Sequence, residues 1–252
     1  MPSTTLQLSD CHVHEFLGIA ANFGDGEYGY AVTPNVDHVI RYCDDAAFRE
    51  IYDEASFVLL DSRFLARLLR VTLGLRLPIC PGSDVTAELF RMVISPDDEI
   101  VLIGGNANQA EELKRRHQLK RLHHLDPPMG FINDPAAVDA CLRFIEQRAP
   151  FRFCLLAVGC PQQEMLASML MRRGRARGLA LCIGGSINFL TGSERRAPMW
   201  MRRYGLEWSH RLIQDPGRMA RRYLLRGPRI FWLLGKIKFE LRAVDVAPAS
   251  TG

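Results

Sequence analysis

No CxxC pair occurs in this chain, the glycine turn Gly104-Gly105-Asn106 is not GxGxxG, and neither GxxxxGKS/T nor DxD occurs anywhere. Without the first, its seven cysteines (11, 43, 80, 141, 154, 160, 182), odd in number and mostly inside apolar runs, read as buried reduced thiols rather than a disulfide frame or zinc site. Without the next two, a nicotinamide fingerprint and a P-loop both lack support. The missing DxD removes the carboxylate pair that commonly holds a metal on a nucleotide-sugar diphosphate, so cationic side chains must stabilise any such leaving group and no metal is expected. Uninterrupted apolar stretches such as 230–234 fall far short of the roughly 20 residues that cross a bilayer. The opening MPSTTLQLSD has no basic region followed by an apolar one, which predicts no secretory signal and a cytosolic protein. Repeats and low-complexity blocks are absent as well.

What is present is unevenly distributed. The chain carries a net +4, yet between Arg195 and Arg242 thirteen Lys/Arg face only Glu207, Asp215 and Glu240, a net of +10. The remainder, with 19 basic and 25 acidic side chains, is about −6. Such asymmetry assigns an anionic partner to the C-terminal part alone: nucleic acid, a membrane surface or a phosphorylated substrate. At 252 residues and 48% hydrophobic, the chain is long enough for a full core, as one domain with an appendage or two small ones.

Apolar β-type runs recur at 56–61, 98–105, 119–125, 151–159 and 179–184, with a further run at 28–32, and helix-like segments separate most of them. This is the pattern of a parallel sheet with crossover helices. Asp134-Pro135 marks a helix start, after which Val138, Cys141, Leu142 and Ile145 form one apolar face. The lack of alternation in 151–158 suits a strand covered on both faces. In open parallel sheets ligands sit beyond the carboxyl ends of the strands. Asp61, Gly104-Gly105-Asn106, Gly159 with Gln162–Glu164, and Gly184-Gly185-Ser186 with Asn188 all follow such runs, so one pocket is expected to gather them.

Each group has a plain reading beside the chemical one. Gly104-Gly105-Asn106 before a helix over 109–117 lets backbone approach a diphosphate or ribose, or is a tight turn. Asp61 reads as a general base or as the N-cap of a helix over 62–72, and the two readings can coexist. Gln163 and Glu164 offer an amide and a carboxylate to sugar hydroxyls, or form a polar first turn. Thr33-Pro34-Asn35 reads as a loop. His12 and His14 have the HxH spacing that, on a strand, puts both rings on one face, as in some metal-dependent hydrolases. Arg211, Arg218 and Arg221 or Arg222 share a helical face that can hold a diphosphate, or they form a solvated basic face. Beside them Met219, Tyr223–Leu225 and Ile230–Leu234 are too apolar for an ordinary exposed helix and suit an interfacial element on an anionic leaflet.

The stretches TPNVDHV (33–39), PGSDV (81–85), VLIGGN (101–106), VGCPQQE (158–164) and GGSINFLTGSERRAPMWMRRYGLEWSHRLIQDPGRMARRYL (184–224) resemble the WecG/TagA/CpsF glycosyltransferases, glycosyltransferase family 26, over roughly residues 28–226. The pattern RAPxWxxxxGLEWxxRLxxxPxRxxRR is long and unusual. The resemblance implies an α/β, Rossmann-like parallel-sheet core flanked by helices, with a basic C-terminal appendage that targets a membrane. It implies metal-independent, inverting transfer of a hexose or N-acetylhexosamine from a UDP-sugar to a polyprenyl-diphosphate-linked sugar on the cytoplasmic leaflet. That chemistry serves surface polysaccharides of the teichoic acid, enterobacterial common antigen, capsule or exopolysaccharide type. By position it makes Asp61 the general base, and Arg211, Arg218 and Arg221 the cations that hold the diphosphate. Thr33, Asn35 and Gln163 match polar residues lining the family's pocket, and with Ser83, Asp84, Gly104, Gly105, Asn106, Glu164, Gly185 and Asn188 they are the substrate-binding candidates. Two departures stand out: Leu60-Asp61-Ser62 replaces ADG, and Asn188-Phe189 removes a carboxylate from DFLxG.

The resulting expectation is a catalytic core over 1–192, a basic helical appendage over 193–242 that closes the site and meets the membrane, and a flexible tail over 243–252. No cofactor is expected. The partners are the UDP-sugar, the lipid-linked acceptor and an anionic membrane surface, and the protein is peripheral on the inner face of the cell membrane. Homo-oligomerisation and the identities of both sugars are left open. The alternatives are a metal-dependent hydrolase using His12 and His14, or a nucleic-acid-binding module. Aromatics clustered with aliphatics, rather than interleaved as stacking platforms, rank nucleic acid below a membrane.

Overall fold

Six of the apolar runs become strands of one parallel sheet. The structure is a computed structural model and describes residues 4–24 and 26–244; the side chains of Arg218, Arg221 and Arg222 lie outside the described residues. The strands are β1 (Thr4–Ser9), β2 (Tyr28–Val32), β3 (Phe57–Val58), β4 (Glu99–Ile103), β5 (Arg121–Leu125), β6 (Phe153–Leu156), β7 (Gly178–Cys182) and β8 (Ile237–Arg242). The helices of the first half are α1 (Val13–Asn22), α2 (Val36–Asp44), α3 (Ala46–Asp53), α4 (Arg63–Leu73), α5 (Gly82–Met92) and α6 (Ala107–His117). They are followed by α7 (Pro135–Glu146), α8 (Gln162–Arg173), α9 (Ser186–Thr191), α10 (Met199–Arg203), α11 (Glu207–Gln214), α12 (Pro216–Ala220) and α13 (Arg229–Leu233), with a wide π-type turn at Arg221–Arg226.

The main sheet runs β3-β2-β7-β6-β4-β5, every pair parallel. Its strands alternate between two apolar layers. Tyr30, Val32, Val101, Ile103, Cys154, Leu156, Ala180 and Cys182 pack on one side, while Ala31, Ile100, Leu102, Phe153, Leu155, Leu179 and Leu181 pack on the other. Both sides are covered, which explains the near-continuous apolar runs. Connections that step toward β3 use α2, α3, α7 and α8 on the first side; those that step toward β5 cross on the second with α5 and α6, α4 having packed on the first side before α5. Opposite faces for opposite directions is what a constant crossover hand requires. It leaves a crevice between the carboxyl ends of β4 and β6, where successive helices diverge.

Local signals account for the helix starts. Asp134 accepts from Ala136 N at 2.9 Å with Pro135 in the first turn, as expected from Asp-Pro. Ser62 accepts from Leu65 N at 3.1 Å and so caps α4; the capping role considered for Asp61 belongs to its neighbour. The seven cysteines are all free, and five are buried.

Two expectations need correction. First, 12–14 is not a strand: His12 precedes α1, its backbone N–H donating to Glu15 Oε2 at 2.6 Å, and His14 lies inside the helix. Residues two apart on a helix face different ways, so the HxH pair offers no common metal position and the hydrolase reading loses its ligands. Second, residues beyond 192 are not all appendage. β8 pairs in parallel with β1 from Thr4↔Ile237 to Ser9↔Arg242, and Ile230, Leu233, Leu234, Ile237 and Phe239 are buried in the main core. Burying each of these is worth roughly 1.5–3 kcal/mol, against about 0–1 for a surface ion pair, so the C-terminal end is anchored by packing. Residues 193–229 thus form a strap fixed at both ends. Of the expected flexible tail, residues 245–252 lie outside the described residues.

Candidate active site

The loop ends of β2 and β3 place Asp61. Leu59 N donates to Val32 O, Asp61 N to Pro34 O and Cys80 N to Leu60 O, so the backbone around the carboxylate is held on both sides. Its Oδ1 accepts from Gly82 N at 2.7 Å. Ser62, in the position where the resemblance expects glycine, supplies the helix cap instead.

Asp61 opens into a cavity of about 250 Å³ between the core and the strap. Asn35, Val36, Asp37, Ser62, Arg63 and Phe64 line it from the core; Arg202, Gly205, Glu207, Trp208, Arg211 and Tyr223 from the strap; and Gly227, Pro228, Ile230 and Phe231 from its far end. The aromatic wall is ordered by the edge-on packing of Trp208 and Tyr223, whose centroids are 5.9 Å apart. Arg211 lies 3.7 Å from Glu207 and over the Phe189 ring, 5.4 Å from its centroid. Of the expected site residues, then, the cavity gathers Asn35, Asp61 and Arg211. The side chains of Arg218 and Arg221 lie outside the described residues.

The strap is tied down beside this cavity. Arg67 donates to the carbonyls of Arg203 and Tyr204, both at 2.8 Å, closing the end of α10. Gly205 follows with φ +69, and a Cβ there would lie 3.3 Å from Phe64 N, so the close approach to α4 needs glycine. Asp84 receives Arg63 at 2.6 Å, Arg196 at 2.5 Å and Arg202 at 3.5 Å, while Ser83 Oγ accepts from Arg196 at 2.8 Å. Burial alone would raise the Asp84 carboxyl, but the Arg196 and Arg63 hydrogen bonds outweigh it and hold it below the usual carboxylate range. With the folded value depressed, this tie is present above the unfolded pKa of about 3.9 and is lost as pH falls through the folded one. Ser83 and Asp84, expected to meet substrate, therefore hold the strap.

The remaining candidates do not join the cavity, contrary to the single pocket expected. Thr33 packs beside Gly82 and reaches Cys182 O at 3.5 Å. Gly104 and Gly105 turn with φ +88 and +71 at the β4/β6 crevice; a Cβ on Gly104 would lie 2.9 Å from the Ala157 carbonyl. Asn106 and Gln109 form a capping box at the start of α6. Asn188 accepts from Gln109 Nε2 and donates to Glu194 Oε1, each at 2.8 Å, bridging α6 to the strap's first residues. Gly185 precedes α9 and is exposed. Gln163 is buried; its Oε1 accepts from Gly184 N at 2.9 Å and its Nε2 donates to Glu164 Oε1 at 2.8 Å, joining the ends of β6 and β7. Glu164 is fully buried, and burial raises its carboxyl above the usual range, favouring the neutral form. His38, Cys160 and Glu164 bring one possible ligand atom each to within 4.8 Å of one another. Gln163 and Cys160 hydrogen-bond this carboxyl, and His38 meets Tyr52 Oη at 2.8 Å, so the three belong to a polar network already engaged.

Among the described residues no helix is long and apolar enough to cross a membrane. Exposed apolar side chains nevertheless concentrate on the strap and α13: Met199, Trp200, Tyr204, Ile213, Leu224, Leu225, Phe231 and Trp232.

The model of the Glycosyl transferase WecG/TagA/CpsF family matches residues 4–243, nearly the whole chain including the strap and β8. The chain belongs to the WecG/TagA/CpsF family of glycosyltransferases, enzymes of cell-surface polysaccharide biosynthesis.

Proposed function

We propose that the protein transfers a hexose or N-acetylhexosamine from a UDP-sugar to a polyprenyl-diphosphate-linked sugar, with inversion and without a metal. One observation carries this reading: Asp61, from the core, and Arg211, from the strap, line the same cavity. Asp61 takes the proton of the acceptor hydroxyl as its oxygen bonds to the anomeric carbon. The bond to UDP breaks on the opposite face, and UDP leaves with the electron pair. Arg211, joined by Arg218 and Arg221 on the same strap, offsets the charge that develops on the diphosphate. The β4/β6 crevice, with its glycine turn at the start of α6, suits the nucleotide.

Metal independence is supported by the absence of DxD together with the Arg211 guanidinium that the strap brings to the cavity wall. In a purified assay with UDP-sugars and a lipid-diphosphate acceptor, transfer proceeds undiminished in EDTA. Activity abolished by EDTA and restored by Mg²⁺ or Mn²⁺ overturns this part of the reading.

The same reading places the strap on the cytoplasmic leaflet. Leu225 is 73% and Trp232 63% exposed on a segment rich in arginine, which suits insertion at an anionic interface. The wild type co-sediments with anionic liposomes, and Leu225→Glu with Trp232→Glu lowers the bound fraction several-fold. Equal pelleting of both proteins contradicts the membrane contact.

A further inference from the structure

The proposed reaction brings two diphosphates to one enzyme. The donor's departs, and the acceptor's stays attached to its lipid. A cation set other than the Arg211 group stands ready for the second. Arg63, Arg196 and Arg202 converge on Asp84, so one carboxylate balances one of three guanidinium charges. Arg196 is also engaged by Ser83, whereas Arg63 and Arg202 line the cavity that holds Asp61.

Two residues of the same lining carry further donors. Arg202 Nε and Trp208 Nε1 are buried and have no hydrogen-bond partner among the described residues. A buried N–H left unmade costs about 1–3 kcal/mol, which favours a ligand that brings acceptor oxygens. The rest of the lining selects the kind of ligand. Val36, Phe64, Ile230 and Phe231 are apolar, and Phe231 leads along α13 to exposed Trp232. Arg63 and Arg202, which share the single carboxylate of Asp84 with Arg196, and hydrocarbon contact running to the surface fit a molecule that is a diphosphate at its head and an isoprenoid at its tail, although Asp37, Asp61 and Glu207 line the cavity as well. A nucleoside diphosphate would set its ribose and base against that apolar wall.

We propose that Arg63 and Arg202, with the Trp208 N–H, bind the diphosphate of the lipid-linked acceptor, and that Asp84 fixes the two guanidiniums in position. Asp84 is a positioning residue, since its carboxylate would repel the ligand it helps to place. The assignment rests on the transfer reaction given above. It also gives the basic residue that follows Ser62, within a stretch that departs from the family pattern, a task in recognising substrate.

Binding without turnover tests it. Farnesyl diphosphate serves as the acceptor-side probe and UDP as the donor-side probe, each titrated calorimetrically into the full-length protein. The wild type binds both. Arg63→Gln and Arg202→Gln each weaken farnesyl diphosphate by about 10-fold or more, the value of a charge-assisted hydrogen bond, and leave UDP within about twofold. Trp208→Phe removes the indole donor with little change of shape and weakens farnesyl diphosphate by a similar factor, so the test survives if an arginine variant misfolds. Partial rescue by Arg63→Lys separates ligand charge from a merely structural role. Loss of UDP affinity equal to that of farnesyl diphosphate, or wild-type protein that does not bind farnesyl diphosphate, overturns the proposal. Farnesyl diphosphate binding that depends on these residues, in a protein that transfers sugar from no UDP-sugar, would uphold the site and refute the reaction.

Discussion

Asp61→Asn lowers kcat for sugar transfer by about 10²–10⁴-fold, the contribution of a positioned general base, and leaves the KM for both substrates nearly unchanged. The substitution is informative because of what it preserves. The amide oxygen of Asn still accepts the Gly82 N–H that Asp61 Oδ1 accepts at 2.7 Å, so the Pro81-Gly82 turn stays in place. Backbone bonds from Asp61 N to Pro34 O and from Cys80 N to Leu60 O involve no side chain and persist. What disappears is the ability to take a proton, together with one negative charge on the cavity wall. A structural carboxylate would give the opposite pattern, a lowered thermal midpoint with little change in kcat per folded molecule. Near-normal transfer by a well-folded Asp61→Asn protein would remove Asp61 from the chemistry.

How far the sequence revealed this arrangement depended on the distance over which each signal acts. The sheet was legible because strands buried on both faces read as apolar runs, and the start of α7 because Asp134-Pro135 acts within one turn. β1 and β8 were not, since their partners lie more than 200 residues apart and each alone is a short stretch. In hindsight the alternation of IKFELR, with Ile237 and Phe239 buried between exposed Lys238 and Glu240, is a strand signal inside a region dominated by arginine. The same distinction governs the site. Asp61 could be picked out because it ends a strand, and Arg211 because it belongs to a long motif. Arg63 and Arg202 could not: each looks like a solvated arginine until Asp84, 21 and 118 residues away, is seen beside it. Asn106 and Asn188 show what a sequence leaves out. Their polar groups suggested a ligand, but Gln109 and Glu194 already engage them.

The strap's own contribution is measured by Arg211→Ala, which lowers kcat by about 10²–10³-fold, the cost of losing one preorganised charge at a developing anion. Stability moves little, because the substitution removes only a 3.7 Å pairing with Glu207 and a position over Phe189, and exposed ion pairs of this kind are worth about 0–1 kcal/mol. Arg211→Lys recovers only part of the rate, since an ammonium cannot present two parallel donors to a phosphate. The leaving group distinguishes this role from general loosening of the strap. With a dinitrophenyl glycoside as donor, departure needs no cation, so a variant defective in stabilising the diphosphate loses much less rate than it does with the UDP-sugar. A strap that had merely come loose would open the cavity to water and slow both donors alike. Equal losses with the two donors would therefore move Arg211 from charge stabilisation to closure, and a small loss with both would leave Asp61 without its cationic counterpart.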